Sequence, residues 1–282
     1  VHLHPYGDGR KLLLTRDVTA LEQADAMRRD FVANVSHEIR TPLTVLTGFV
    51  ETLQTLQLDA EERARYLAMM AQQAARMQSV VHDLLTLSRL EGSPLPGMSE
   101  WTPVQALMQR CEEESRALSA VLTQNHQRHH VLQFPAAQDL RAAGDIAGVP
   151  SELQSALSNL ISNAVRYTPA GGTITVQWRY TADGNAIFSV SDTGPGIAPE
   201  HIPRITERFY RVDRSRSRET GGTGLGLAIV KHAVQRHGAT LDITSALGKG
   251  SVFSVTFPAN RLRRPALPDG LQPTASAQTA LP

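Results

Sequence analysis

The chain has 282 residues, of which 41% are hydrophobic and 20% charged, and a formal net charge of +1. That length suits about two domains with buried cores, and the balanced charge excludes recognition of nucleic acid or an anionic membrane by bulk field. Cys111 is the only cysteine, which excludes an intramolecular disulfide framework and any multi-cysteine metal site and fits a reducing compartment. No run approaches the roughly 20 apolar residues that cross a bilayer, so no membrane contact is expected of this segment.

The first 20 residues contain turn residues at Gly7 to Gly9 and an apolar strand at Lys11 to Leu14. They resemble the last hairpin of a PAS-type sensor domain with its linker, and the absence of a starting methionine suggests an inner part of a longer protein. From Asp17 to Leu58 the apolar residues Phe31, Val35, Ile39, Pro42, Leu46, Phe49, Leu53 and Leu56 recur at three- and four-residue steps, the period of one long helix. After a polar break at Leu58 to Glu61, Leu67, Met70, Ala74, Met77, Val81, Leu84 and Ser88 continue the same period. Two long helices with a short connection predict an antiparallel hairpin over residues 21–92. Two helices cannot cover both stripes, so pairing of two hairpins into a four-helix bundle, and hence a homodimer, is expected.

The segment EGSPLP at 91–96 ends the helix and marks a domain boundary. From 98 to 260 the pattern becomes mixed α/β. A strand is predicted at Ser99 to Thr102, a helix at Pro103 to Leu122, strands at Val131 to Phe134 and Leu140 to Ala143, and a helix at Ser151 to Tyr167. A hairpin follows, Thr173 to Tyr180 with Ala186 to Ser191. Beyond a glycine- and arginine-rich loop come a helix at Thr223 to His237 and a second hairpin, Thr240 to Ser245 with Ser251 to Phe257. Residues 261–282 are rich in Pro, Ala, Ser and Gln and are expected to be disordered.

Two constellations carry chemistry. The first is His37-Glu38-Ile39-Arg40-Thr41-Pro42. His37 lies two residues from both Val35 and Ile39, about 200° round a helix from each, which points it away from the apolar stripe. Arg40 and Thr41 share its face, with Glu38 adjacent. A neutral imidazole there is a competent nucleophile near neutral pH, and a carboxylate such as Glu38 could hold its Nδ1 proton. Pro42 is expected to kink the helix one turn later. A zinc-protease reading fails because the second histidine of HExxH would fall at Thr41.

The second constellation is spread over the second half: Asn159, Asn163, Arg166 and Tyr167 on one helix; Asp192, Gly194 and Gly196 after a strand; Arg208, Phe209, Tyr210 and Arg211; Gly222, Thr223, Gly224, Leu225 and Gly226; and Gly248 with Gly250. An amide oxygen on the helix suffices for a magnesium ion that keeps waters and phosphate ligands. Asp192 is placed to accept from an exocyclic amine. The glycines let backbone N–H groups approach phosphates, and the group at Gly222 opens into a helix N-terminus. The Walker loop fails at Ile243 and the dinucleotide fingerprint at Leu227 or Ile229.

In this order the motifs resemble the two-component sensor histidine kinases over about Ala24 to Pro258. FVANVSHEIRTPL is similar to the family's H box, NLISNAVRYTP to its N box, DTGPGI to its first G box, ERFYRVD to its F box and GGTGLGLAIVK to its second G box. The stretch from Ile205 to Val234 looks most like the phosphate-regulon sensors. The resemblance implies a dimeric helical bundle followed by a two-layer α/β ATP-binding domain of the Bergerat (GHKL) type. It also implies a protein-histidine kinase that uses ATP and Mg2+.

Carried over by motif, His37 is the phosphoacceptor, Glu38 its acid/base partner, and Thr41 positions water for hydrolysis of the phosphorylated partner. Asn163 holds magnesium. Asp192 binds the adenine amine, and Asn159, Arg166, Tyr167, Gly194, Gly196, Gly222, Thr223, Gly224, Leu225 and Gly226 form the nucleotide site. The span from Ile197 to Thr223 is a lid bearing Arg204, Arg208, Arg211, Arg214, Arg216 and Arg218. The implied partner is a response-regulator receiver domain, and the implied location is the cytoplasmic part of a membrane-anchored bacterial sensor. Gly148-Val149 departs from the Gly-Asp found in many members. ATP-driven conformational machines and repair ATPases share the nucleotide fold but need no His37; a scaffold with a decayed site would have lost Asn163, Asp192 or the glycines.

Overall fold

The computed structural model describes residues 2–6, 10–14, 17, 19–212 and 222–264. The turn at Gly7 to Gly9, the lid residues Arg214, Arg216 and Arg218, and the tail from 265 lie outside the described residues. The chain divides into two units, Val1–Val81 and His82–Pro282.

In the first unit β1 (His2–Tyr6) and β2 (Arg10–Leu14) pair antiparallel, with His2 opposite Leu14. Two long helices follow, α1 (Thr19–Thr55) and α2 (Ala60–Gly92). At the start of α1 the Asp17 carboxylate accepts the Thr19 N–H at 2.9 Å. The connection between the helices is closed by a reciprocal cap: Asp59 Oδ1 accepts from Glu62 N–H at 2.7 Å and Glu62 Oε2 from Asp59 N–H at 3.3 Å. The Phe49 and Tyr66 rings lie 5.5 Å apart, while Glu38 meets Arg76 at 3.1 Å. Going back along α1 therefore means going forward along α2, so the hairpin is antiparallel.

The inner face of α2 departs from the predicted stripe. Between Ala60 and Val81, Tyr66, Met70, Gln73, Arg76, Met77 and Val80 are the partly or fully buried positions, whereas Leu67 is 52% and Val81 45% exposed. The true stripe admits two polar residues that an apolar count passes over. On α1 the helix runs unbroken through Pro42, which is buried.

The second unit begins with the last turns of α2, where Leu87 and Leu90 are buried. A five-stranded sheet has the order β4-β6-β7-β9-β8, built from β4 (Val131–Gln133), β6 (Thr173–Tyr180), β7 (Ala186–Asp192), β8 (Thr240–Ala246) and β9 (Gly250–Phe257). Only β4 to β6 is parallel; the other pairs are antiparallel. Against one face lie α3 (Val104–Thr123), α5 (Pro150–Tyr167) and α6 (Gly226–Arg236). Along β6, Ile174 and Val176 point into this core and Gln177 and Arg179 out to solvent, the alternation of a half-covered sheet.

Helix α5 is the central element of the helical layer. Leu153, Ala156, Leu157, Leu160, Ile161, Ala164 and Val165 bury one face, with Pro150 in its first turn. A small second sheet joins β3 (Trp101–Pro103), β5 (Asp145–Ala147) and β10 (Leu262–Arg263), with β5 in the middle.

Two expectations are corrected. The strand predicted at Leu140 to Ala143 is instead a short helix, α4 (Ala137–Ala142). AQDLRA is mostly good helix formers, and only Leu140 turns inward, so no alternating face exists for a sheet to use. The tail does not begin at 261. β10 pairs with β5, the Arg263 guanidinium holds Asp145 Oδ2 at 2.5 and 3.1 Å, and it lies 4.7 Å from the centre of the Trp101 ring.

Candidate functional site

On α1, His37, Arg40 and Thr41 are exposed together. Thr41 Oγ1 donates to the His37 carbonyl at 3.1 Å, and Thr44 Oγ1 to that of Arg40 at 3.0 Å. Each hydroxyl bonds one turn back, the usual way a helix accommodates Thr. Pro42 has no N–H to donate to the Glu38 carbonyl one turn back. Glu38 is turned from the exposed face toward α2, half-buried, where its Oε2 accepts from Arg76 Nη2 at 3.1 Å. The sequence reading missed Arg76. It sits three residues after Gln73 and four before Val80 on the inner face, a polar position that an apolar period does not mark.

In the second unit the nucleotide motifs converge on α5 and the loops beside it. Asp192, at the end of β7, is 8% exposed, and its Oδ1 accepts the Gly194 N–H at 2.8 Å. Gly194 is packed against the Tyr167 carbonyl and Gly222 against the Tyr167 hydroxyl, so the end of α5 touches both glycine loops. Gly196 backs onto the Ala246 carbonyl in the turn of the β8–β9 hairpin. Asn159 donates from Nδ2 to the Ser155 carbonyl at 2.8 Å, and its Oδ1 faces the first residue of α6. A Cβ at Gly226 would sit 2.5 Å from that oxygen, so a side chain there must displace the Asn159 amide or part the helices. Asn163 is half-buried, and its amide makes no hydrogen bond among the described residues.

Thr223 and Leu225 are buried. Thr223 Oγ1 accepts the Leu225 N–H at 3.1 Å and donates to Asp83 Oδ2 at 2.6 Å. Asp83 is a residue of α2 that the sequence reading did not single out. The Gly224 carbonyl accepts the Phe209 N–H at 2.8 Å, and Phe209 has φ 61°, a left-handed conformation that costs a non-glycine residue about 1 kcal/mol or more. Among the described lid arginines, Arg211 donates to the Gly222 carbonyl and Arg208 pairs with Glu91. The Arg204 guanidinium lies 4.4 Å from the centre of the Tyr210 ring. The structure thus gives distinct contacts to arginines that the sequence presents as one run.

Burial pushes the Asp192 carboxyl above the usual range, against hydrogen bonds from Gly194 and Ser251 that pull it back. Burial likewise raises Asp83, opposed by the Thr223 hydroxyl and the nearby charges of His82 and Arg166. Arg166 is lowered by its own burial. A buried carboxylate at the end of a strand, held by hydrogen bonds from Gly194 and Ser251, can accept from an amine-bearing heterocycle. An uncommitted amide oxygen at Asn163 fits a magnesium ion that draws its other ligands from water and phosphate.

Two family models match the chain: the His Kinase A (phospho-acceptor) domain over residues 27–93, and the histidine kinase-, DNA gyrase B- and HSP90-like ATPase over 148–261. The phosphate regulon sensor protein PhoR of Pseudomonas aeruginosa is 49% identical over 91% of this chain and 56% of its own length. Its namesake in Haemophilus influenzae is 36% identical over 92% of this chain and 58% of its length. The chain therefore spans little more than half of the curated relatives it matches. Among solved structures, full-length ShkA in complex with AMPPNP superposes with TM-score 0.55 at 29% identity, covering 81% of this chain and 45% of that one. The Acinetobacter baumannii histidine kinase AdeS, at 22% identity and TM-score 0.57 over 79% of this chain and 98% of its own, shares the fold. With a phosphoacceptor hairpin followed by an ATPase domain, and with PhoR-like sequence through both, the chain belongs to the two-component sensor histidine kinases.

Proposed function

We propose that this chain is the kinase portion of a phosphate-regulon sensor, in which His37 takes the γ-phosphoryl group of ATP and passes it to an aspartate of a PhoB-like response regulator. The observation that carries the reading is an exposed His37 on α1 in one chain with a buried, N–H-capped Asp192 beside two glycine loops. An imidazole nitrogen attacks the γ-phosphorus, the bond to the bridging oxygen breaks, and ADP leaves. The phosphoimidazole then yields its phosphoryl group to the regulator's carboxylate. The bound AMPPNP of ShkA supports a nucleotide in the equivalent domain.

Asp192 holds the adenine amine, and Arg166, Tyr167 and the glycine loops shape the nucleotide site. Asn163 would supply one oxygen to Mg2+, which neutralises phosphate charge when bound. Exposed apolar side chains on the hairpin, among them Leu43, Val50, Leu67 and Val81, support burial against a second copy in a four-helix bundle. The regulator docks on the polar face around His37. The opening β-hairpin is the end of a PAS-like sensor module, and the membrane anchor of such a sensor lies upstream.

Thr41 sits one turn from His37 on the same open face and keeps its oxygen lone pairs available to orient water, which supports a phosphatase role. The test is γ-labelled ATP with magnesium. Acid-labile label is expected on the wild type and absent from His37→Gln. Thr41→Ala should accept label at a near-normal rate and lose at least about tenfold in dephosphorylation of the regulator. ATP turnover without labelled protein would rule out the kinase reading; equal loss of both activities in Thr41→Ala would rule out the phosphatase role.

A further inference from the structure

The second unit carries a contact that the phosphoryl-transfer chemistry does not use. The end of α2 is fixed there by several bonds. Arg236 donates to the carbonyls of Leu90 and Ser93 at 2.8 Å and of Pro94 at 2.7 Å, while its guanidinium grips Glu152 at 2.9 and 3.0 Å. Leu87 and Leu90, 1% and 3% exposed, are buried beneath the same segment. This anchorage places Asp83 against the second glycine loop, where Oδ2 accepts a hydrogen bond from the Thr223 hydroxyl at 2.6 Å. The same carboxylate lies within the field of Arg166 on α5.

Thr223 is thus held by a carboxylate at the start of α6, within the field of the Arg166 cation, where a helix N-terminus and a cation favour an anion. Asp83 presents one negative charge, two oxygens and one hydrogen-bond acceptor to these groups. A nucleotide's terminal phosphates would present the same chemistry. Both cannot occupy one hydroxyl proton and one cation without like-charge repulsion in a partly buried setting.

We propose that Asp83 is an anionic placeholder: it holds Thr223 beside the Arg166 cation, and it competes there with the terminal phosphates of a nucleoside triphosphate. The inference rests on the nucleotide reading of this site. It makes the end of α2 sensitive to which nucleotide is bound. A triphosphate carries more charge to the loop than a diphosphate, so it displaces the carboxylate more strongly.

The experiment compares Asp83→Asn and Asp83→Ala with the wild-type chain by titration calorimetry with ATP and ADP, in magnesium. Asn keeps the shape and can still accept from Thr223, so the fold should be retained; Ala removes charge and acceptor together. ATP affinity is expected to rise about three- to thirtyfold in both variants, the range for removing one nearby partly screened charge, with ADP affinity changed less than about threefold. On the wild type alone, hydrogen exchange should show the His82–Gly92 segment loosening with ATP more than with ADP.

Unchanged or weaker ATP binding in the variants, or a parallel change for ATP and ADP, would overturn the placeholder. So would an α2 end whose exchange ignores the nucleotide, a readout that survives if the variants fail to fold. Wild-type protein that binds neither nucleotide would instead refute the nucleotide reading itself.

Discussion

Glu38 and Arg76 illustrate how a neighbour can govern a reactive residue without touching it. The Glu38 and Arg76 side chains retain 25% and 18% of their exposure, so their ion pair is partly desolvated and worth more than a surface pair. It fixes the carboxylate next to His37 toward α2, and under the proposed acid/base role that orientation governs how Glu38 reaches the imidazole. Arg76→Ala would leave Glu38 half-buried with its guanidinium partner gone. We expect a loss of about 1–2 kcal/mol in hairpin stability and about a tenfold slower labelling of His37, with Arg76→Lys recovering part of the rate. Thermal melts and single-turnover labelling check both; a folded Arg76→Ala with wild-type labelling would show that Glu38 acts independently of its partner.

At the level of elements, the nucleotide site is a matter of how closely α5 and α6 approach. Gly226 opens α6 with its missing Cβ aimed at Asn159 Oδ1, on a side-chain amide that is itself held by the Ser155 carbonyl at 2.8 Å. Gly226→Ala should break the Asn159 amide from the Ser155 carbonyl or force the helices apart, cost about 1–3 kcal/mol and weaken ATP binding more than tenfold, as followed by melting and calorimetry. An alanine variant with unchanged affinity would show that the spacing is not needed. The motif residues at this junction were legible in the sequence because glycine, Asp and Asn leave a mark at fixed spacing. Asp83 and Arg76 were not, because their meaning depends on contacts 140 and 38 residues away in the chain. The helices of both units could likewise be read from apolar periodicity. α4 could not, since AQDLRA has one inward residue and no period to read. The β10 pairing also escaped, because two residues beside a Pro-rich tail carry too little pattern to announce a strand.

For the whole molecule, the Gly148 that precedes the departing Val149 packs on a buried histidine that also sets how stability responds to pH. His237 is 0% exposed: its Nδ1 lies 2.7 Å from the Ala233 carbonyl, and its Nε2 accepts the Val149 N–H at 3.2 Å. A Cβ at Gly148 would fall 2.3 Å from the ring, so glycine is required there whatever follows it. Accepting at Nε2 and donating at Nδ1 requires the neutral ring, and burial lowers the His237 pKa below the usual histidine value, against the pull of Ala233 and Glu152. Burial lowers His232 in the same direction. With folded values depressed, these histidines contribute stability fully above about pH 6.5, and it is lost as pH falls through that value toward the folded one. Asp83 and Asp192 have raised values and work the other way: their contribution is complete below the ordinary carboxylate range and is lost as pH rises through the folded values. The melting temperature should therefore be level above about pH 7 and fall on acidification below about pH 6.5, with the carboxylates offsetting part of the loss at lower pH. His237→Gln can keep both hydrogen bonds without titrating. It should melt lower at pH 8 by about 1–2 kcal/mol yet lose less than the wild type between pH 7 and pH 5. Parallel pH profiles for the two proteins would mean that His237 is not the group that acid attacks.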